Sequence, residues 1–184
     1  TQLPAPVSSR NGGFVTSFDG AASLTVSGGS LAQDMPLQIR PLNVEDFPRP
    51  TTNQRLIGIV QGTPVGTKFR NPVRLRFPLT EPLPSGANLN VSIFNPKTRQ
   101  YEPSGFTATV EPSGRSAWVD VNHFTIFAVS SVQSVQITDV HPAAGNEGST
   151  VTISGSGFGL SPDENTVVFT AKGGGTIPAT PITA

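Results

Sequence analysis

Between Val135 and Phe169 the chain reads VQITDVHPAAGNEGSTVTISGSGFGLSPDENTVVF. A short apolar run meets a turn at Pro142 and Gly145, and Val151 and Ile153 then alternate with Thr150, Thr152 and Ser154. Alternation with a period of two sends one set of side chains to each face of a strand and cannot supply the continuous stripe of an amphipathic helix. The Gly-rich corner Ser154 to Gly159 ends that strand, and a second apolar run closes at Phe169. A segment punctuated so often can bury its apolar face only by pairing short strands and laying them against a second layer.

The same grammar runs upstream. Thr1 to Ser9 is Pro- and Ser-rich and reads as a tail, with the tail or linker extending to residue 11. Gly12–Gly13 opens a strand to Phe18, Asp19–Gly20 signals a hairpin, and Leu24 and Val26 return on one face. Leu37 and Ile39 alternate with Gln38 and Arg40, and Asn43 to Asn53 reads as a long loop. Arg55 to Gln61 is apolar and β-branched, and Val73, Leu75 and Phe77 alternate with Arg74 and Arg76. Leu89, Val91 and Ile93 are expected to point inward, with a turn at Asn95–Thr98. Strands at Thr107–Val110, Ser116–Val121 and Thr125–Val129 complete the set. No window carries a helical period. The expectation is an all-β chain of two consecutive antiparallel β-sandwich modules, with a tail at 1–11, a first sandwich at 12–130 and a second, incomplete one at 131–184.

Composition narrows the function. The 184 residues include 19 Gly, 18 Pro and no Cys, so disulfides and thiolate metal sites are excluded. Charged residues are 13% and the formal net charge is zero, which provides no global attraction to nucleic acid or to an acidic membrane. No apolar run approaches the roughly 18 residues of a membrane-spanning helix, so membrane insertion is not expected. A Cys-free chain rich in Thr, Ser, Gly and Pro fits an extracellular or cell-surface product of bacterial type.

Chemical constellations are sparse. Ser154 to Gly159 follows a strand, but Leu160–Ser161–Pro162 continues it where a phosphate-binding loop needs a helix, and Lys172 to Thr176 fails the same test. A Ser-His-Asp hydrolase would have to use His123 or His141, the only histidines, and there is no nucleophile elbow. Carboxylates such as Asp163–Glu164 are too scattered for a zinc site or an EF-hand loop, so no metal and no cofactor is expected. Lys68, Arg70, Arg74 and Arg76 form one basic cluster. With Val73, Leu75 and Phe77 inward, Arg74 and Arg76 share the outer face, where they could meet an acidic polymer. Stacking aromatics for nucleic acid are missing there. Trp118, with Tyr101, is the aromatic available to a sugar platform. Asn90–Val91–Ser92 matches a glycosylation acceptor but falls inside an expected strand and reads as chance.

Two resemblances bear on these modules. Gly12–Gly13, the hairpin into Leu24–Val26, the run Pro64, Gly66, Phe69, Pro72 and Val73, and the closing His123–Phe124–Thr125 resemble the ZU sandwich domain of netrin receptors and ankyrins over roughly Asn11 to Val129. Ile137, Pro142, Gly145, Gly148, Val151, Ile153, Gly155, Gly157, Phe158, Asn165, Val167 and Phe169 resemble the signature of the IPT/TIG immunoglobulin-like domain. There Gly155 and Gly157 are expected to allow a positive φ or a close backbone approach, with Phe158 plugging the end of the sandwich. The second resemblance implies a binding or spacer module. The first implies that His123–Phe124–Thr125 can be a self-cleavage site: the Thr125 hydroxyl attacks the Phe124 carbonyl, aided by His123, and water opens the resulting ester. The other reading keeps the chain intact, with Phe124 in the core.

The function expected is therefore a non-catalytic structural, adhesive or assembly element. Its partners would be other protein subunits or downstream β-domains met by strand-edge contact, with glycans as a further class. The alternative is a carbohydrate-binding accessory of an exported enzyme. An immunoglobulin-like sandwich takes about 100 residues, and Val135 to Ala184 supplies about half of that. The expectation is that further strands come from more of the chain or from a neighbouring subunit.

Overall fold

The computed structural model describes residues 4–50, 54–132, 135–145, 148–158, 162, 165–170 and 173–181. The chain divides into two units, Thr1–Pro50 with Arg55–Ser131, and Thr51–Gln54 with Val132–Ala184.

The first unit holds ten strands: β1 (Ala5–Val7), β2 (Gly12–Thr16), β3 (Ser23–Ser27), β4 (Met35–Pro41), β5 (Gln54–Thr63), β6 (Lys68–Pro78), β7 (Asn88–Asn95), β8 (Gln100–Val110), β9 (Ser116–His123) and β10 (Ile126–Val132). They form one continuous sheet in the order β1-β4-β5-β10-β7-β8-β9-β6-β3-β2. The first and last strands of that order are consecutive in the chain and meet at a Ser8–Gly12 bridge. The sheet therefore curls back on itself into a near-barrel, an all-β antiparallel first module as the alternation led one to expect. The seam between β1 and β2 is bridged there and carries no ladder of its own among the described residues.

One core fills the interior, built from alternate residues of every strand. Leu24, Leu37, Ile39, Ile57, Leu75, Phe77, Val121 and Phe127 are all buried within it. Alternation explains this, since Val73, Leu75 and Phe77 face in while Arg74 and Arg76 face out. A second, smaller apolar cluster of Leu56, Ile59 and Ala128 lies apart from it, and Leu42, Val44, Phe47, Tyr101 and Ile126 pack against it.

Two expectations need correction. The stretch taken as a tail contains β1, whose Ala5–Val7 pair with Met35–Leu37 and whose Val7 is buried. Pro6 hid it, because proline weakens a strand pattern except on an edge, and β1 ends the strand order. Ile93 was expected inward with Leu89 and Val91, and it packs, half-buried, against the main core. The ladder to β8 slips by two residues between Asn90 and Ser92, and Phe94 is buried on the other face against Phe47 and Tyr101. Finally, β8 starts at Gln100 and not at Thr107.

The second unit contains β11 (Gln136–His141), β12 (Thr152–Ser156), β13 (Val167–Thr170) and β14 (Thr176–Ala179). Among the described residues they form two separate two-stranded antiparallel sheets, β11–β12 and β13–β14. This is a partial immunoglobulin-like arrangement. Ile153 is half-buried while Thr152 and Ser154 are exposed, as the alternation requires.

Candidate functional site

Phe124 sits between β9 and β10 and is 1% exposed. Its ring meets Phe69 edge-on at 4.9 Å. It also lies over Gly62, where an added Cβ would come within 2.4 Å of the ring. Glycine at 62 is the condition for this aromatic plug. The Phe124 N–H donates to the Thr67 carbonyl at 2.8 Å, and the Phe124 carbonyl accepts from the Gly66 N–H at 2.9 Å. The Thr125 carbonyl accepts from the Gly62 N–H at 3.1 Å. His123 Nδ1 lies 2.8 Å from Asn122 Oδ1, and its ring packs against Phe106 and Phe127 at 5.9 and 5.7 Å.

Self-cleavage needs a base on the attacking hydroxyl and a donor on the carbonyl oxygen. The Gly66 N–H fills the second role, but among the described residues no hydrogen bond joins His123 to Thr125. The arrangement is that of a strand-end plug with its peptide groups satisfied on both sides.

Arg74, Arg76 and Trp118 are brought together by the β6–β9 ladder, in which Arg74 faces Asp120 and Arg76 faces Trp118. Arg74 makes a two-pronged pair with Asp120 at 2.9 and 3.0 Å and lies 3.9 Å from the centroid of the Trp118 ring. The Asp120 hydrogen bond raises the Arg74 guanidinium further above its ordinary range. Arg76 donates to Glu111 at 2.8 Å and to the Ser116 hydroxyl at 3.0 Å, and Ser116 also donates to Glu111. Burial pushes the Glu111 carboxyl up, but the Ser116 and Arg76 donors together outweigh it and hold the group below the usual carboxylate range. Each guanidinium already has a carboxylate, and the Trp118 face carries a cation. These contacts form a clasp across the outside of the sheet.

The sequence reading gave no role to a groove on the opposite limb of the sheet. The long loop after β4 folds over the outer face of β5 and β10, pinned where the Tyr101 hydroxyl donates to the Pro48 carbonyl at 2.8 Å. Burial pushes the Tyr101 hydroxyl up to about 12. Phe47 from this loop packs edge-on against Phe94 at 4.9 Å. Between the loop and the β7–β8 turn lies a groove of about 550 Å³ whose lining includes Arg40, Asp46, Gln61, Phe94, Arg99 and Ile126. The sequence signals were Val44 and Phe47 inside a charged and Pro-rich loop and an arginine closing a hairpin turn.

In the second unit, an added Cβ at Gly155 would fall 1.9 Å from the Gln136 carbonyl, and Gly157 adopts φ +81. Both glycines do what the corner requires, and Phe158 is half-buried beside them. His141 closes β11 on the surface. Asp163–Glu164 and Lys172 lie outside the described residues. Among the described residues, no group of three or more His, Cys, Asp or Glu could hold a metal ion. No helix among them is long and apolar enough to cross a membrane.

A comparison with curated proteins found no match to this chain. Residues 135–176, which span both two-stranded sheets up to the start of β14, match the IPT/TIG domain family model.

Proposed function

We propose that this chain is a non-catalytic adhesive or assembly segment of an exported, bacterial-type surface protein, in which a ZU-like sandwich precedes an IPT/TIG-type module. The observation that carries this reading is the seam of the first unit. Among the described residues, its two bordering strands meet at the Ser8–Gly12 bridge and extend no ladder beyond it. Phe14 stands 64% exposed on β2 beside that seam. Unladdered backbone with an exposed aromatic is what a partner strand adds to. The second unit agrees with it. Ile137, Val168 and Ile177 are each more than half exposed on strands whose pattern asks for a covering layer.

The test is concentration-dependent association read by light scattering, together with amide exchange. Association should weaken in Phe14→Lys, because a charge on an edge strand opposes β-addition, and amides of β11 to β14 should exchange far faster than those of β6, β7 and β9. A chain that stays monomeric at every concentration, with both units equally protected, would overturn the proposal.

A further inference from the structure

We infer that the groove beneath the Asn43–Phe47 loop is a binding site for a carboxylated sugar, a uronate unit of an acidic polysaccharide. The inference goes beyond the module reading and stands on the groove alone. Three features converge there.

The first is uncompensated charge. Arg40 reaches no carboxylate among the described residues; its guanidinium donates to the Gln61 side chain across the β4–β5 ladder, at 3.5 Å. Arg99 likewise enters no ion pair among the described residues. Arg74 and Arg76 on the other limb each hold a carboxylate in close contact. Two guanidiniums and the single acid Asp46 leave the groove with one net positive charge, which suits a ligand with one carboxylate per ring. A guanidinium matches a carboxylate with two parallel hydrogen bonds.

The second is local strain. Arg99 has φ 56 and is the one non-glycine residue with positive φ among those described. It closes the β7–β8 turn, its N–H donating to the Asn95 carbonyl at 2.8 Å, while Asn95 Oδ1 accepts from the N–H groups of Lys97 and Thr98. Glycine or asparagine would fill this left-handed position at lower steric cost. Strain of this kind gathers where a side chain is needed for another purpose.

The third is the floor. Phe94, Phe47 and Ile126 supply an apolar base, and Asp46 and Gln61 add polar groups at the rim. A sugar ring presents C–H groups on its faces and hydroxyls at its edge, so it fits a base and rim of this composition. At about 550 Å³ the groove lies within the usual size range of small-ligand sites. A multiply charged phosphate or sulfate would meet Asp46 without the apolar face to use, and a neutral sugar would leave both guanidiniums unanswered.

The experiment titrates the chain with oligogalacturonate, oligoglucuronate and oligomannuronate, each beside its carboxyl-reduced counterpart, and follows binding by calorimetry. At least one acid oligomer should bind, and its carboxyl-reduced form should bind about tenfold or more weakly, the loss expected for a charge-assisted hydrogen-bond pair. Arg40→Gln and Arg99→Gly should each cost a similar factor, and Arg10→Gln, on a distant turn, should cost none. Arg99→Gly keeps the left-handed backbone while removing the guanidinium, so lost binding with an unchanged melting profile is a binding effect and not misfolding. Absence of binding to all three acids would overturn the inference. So would equal binding of the reduced oligomers, undiminished binding by Arg40→Gln and Arg99→Gly, or preferential binding of inorganic phosphate at the same residues.

Discussion

The two units use the same local code and reach different degrees of burial. In the first, Phe77, Phe124 and Phe127 are each 1% exposed inside a sheet that curls until its ends meet. In the second, Ile137 and Ile177 are 58% and 57% exposed on the strands of two separate two-stranded sheets. Alternation decides which side of a strand is apolar, but burial needs a second layer opposite that side. Ten strands in one curled sheet provide their own opposite layer, and two pairs of strands do not. The difference teaches that period-two patterning specifies a face and not its partner.

The sharpest way to break this comparison is to remove one phenylalanine from each unit. Phe124→Ala should destabilise the first unit by about 3–5 kcal/mol, the usual cost of emptying a buried aromatic site. Phe169→Ala, at a position 36% exposed, should cost below about 1 kcal/mol. Calorimetry measures both, and Trp118, the single tryptophan, reports the first unit by fluorescence during denaturation. Equal losses would mean that the second unit is as well covered as the first.

Gly62→Ala attacks the same plug from the other side. The new methyl would meet the Phe124 ring at 2.4 to 2.8 Å, so the ring must move. Overpacking of this kind costs about 1–3 kcal/mol, and denaturant unfolding followed by Trp118 emission measures it. A neutral outcome would show that the plug has slack.

Much of this contrast was legible in the sequence. Val73, Leu75 and Phe77 announced their inward face, and Asp19–Gly20 announced its hairpin, in which Ser17 N–H donates to the Ala22 carbonyl at 2.9 Å. Gly155 and Gly157 announced the corner of the second unit. The first half of β8 was hidden, because Pro103 and Gly105 interrupt its pattern while Ser104 bonds to the Val91 carbonyl at the register shift. The shift itself leaves no composition signal, so the burial of Phe94 beneath the loop on the outer face could not be read. The clasp was half legible: alternation put Arg74 and Arg76 outside, but only the β6–β9 register brings Asp120 and Trp118 to Arg74. The groove was illegible for the same reason, since Arg40 and Arg99 are far apart in the chain and meet through the strand order.

A smaller effect is expected from Arg74→Ala. The Arg74–Asp120 pair is about half exposed on both sides, so solvent screens it, and the Trp118 contact adds a cation–aromatic term. The loss should be about 0.5–1 kcal/mol. Trp118 emission of the folded chain should change at the same time, because its covering cation is gone. A loss as large as that of Phe124→Ala would mean that the outer face, and not the core, holds the first unit together.

The smallest effect is a pH dependence of the first unit, where Asp19, Asp34 and Glu111 all have carboxyls held low by hydrogen-bond donors. For Asp19 the main donor is the Ser17 hydroxyl, and for Asp34 it is the Ser9 hydroxyl. For Glu111 the Ser116 hydroxyl and Arg76 overcome the upward push of burial. A carboxyl whose pKa is lower in the folded chain than in the unfolded one binds its proton more readily when unfolded. Its stabilisation is therefore complete above the unfolded pKa, and it fades as pH falls through the ordinary carboxylate range toward the folded value. Acidification from neutral should leave the first unit unchanged until that range and weaken it below. Glu111→Gln should be less stable than the native chain at neutral pH, and the difference should shrink as the medium becomes acid, because protonation gives the native side chain the same neutral character. Melting temperatures of the two chains across that range, read from Trp118, measure the convergence. Parallel curves would mean that the Arg76–Glu111–Ser116 contacts add nothing to folding, and the outer face of the first unit would then be as loosely held as the strands of the second.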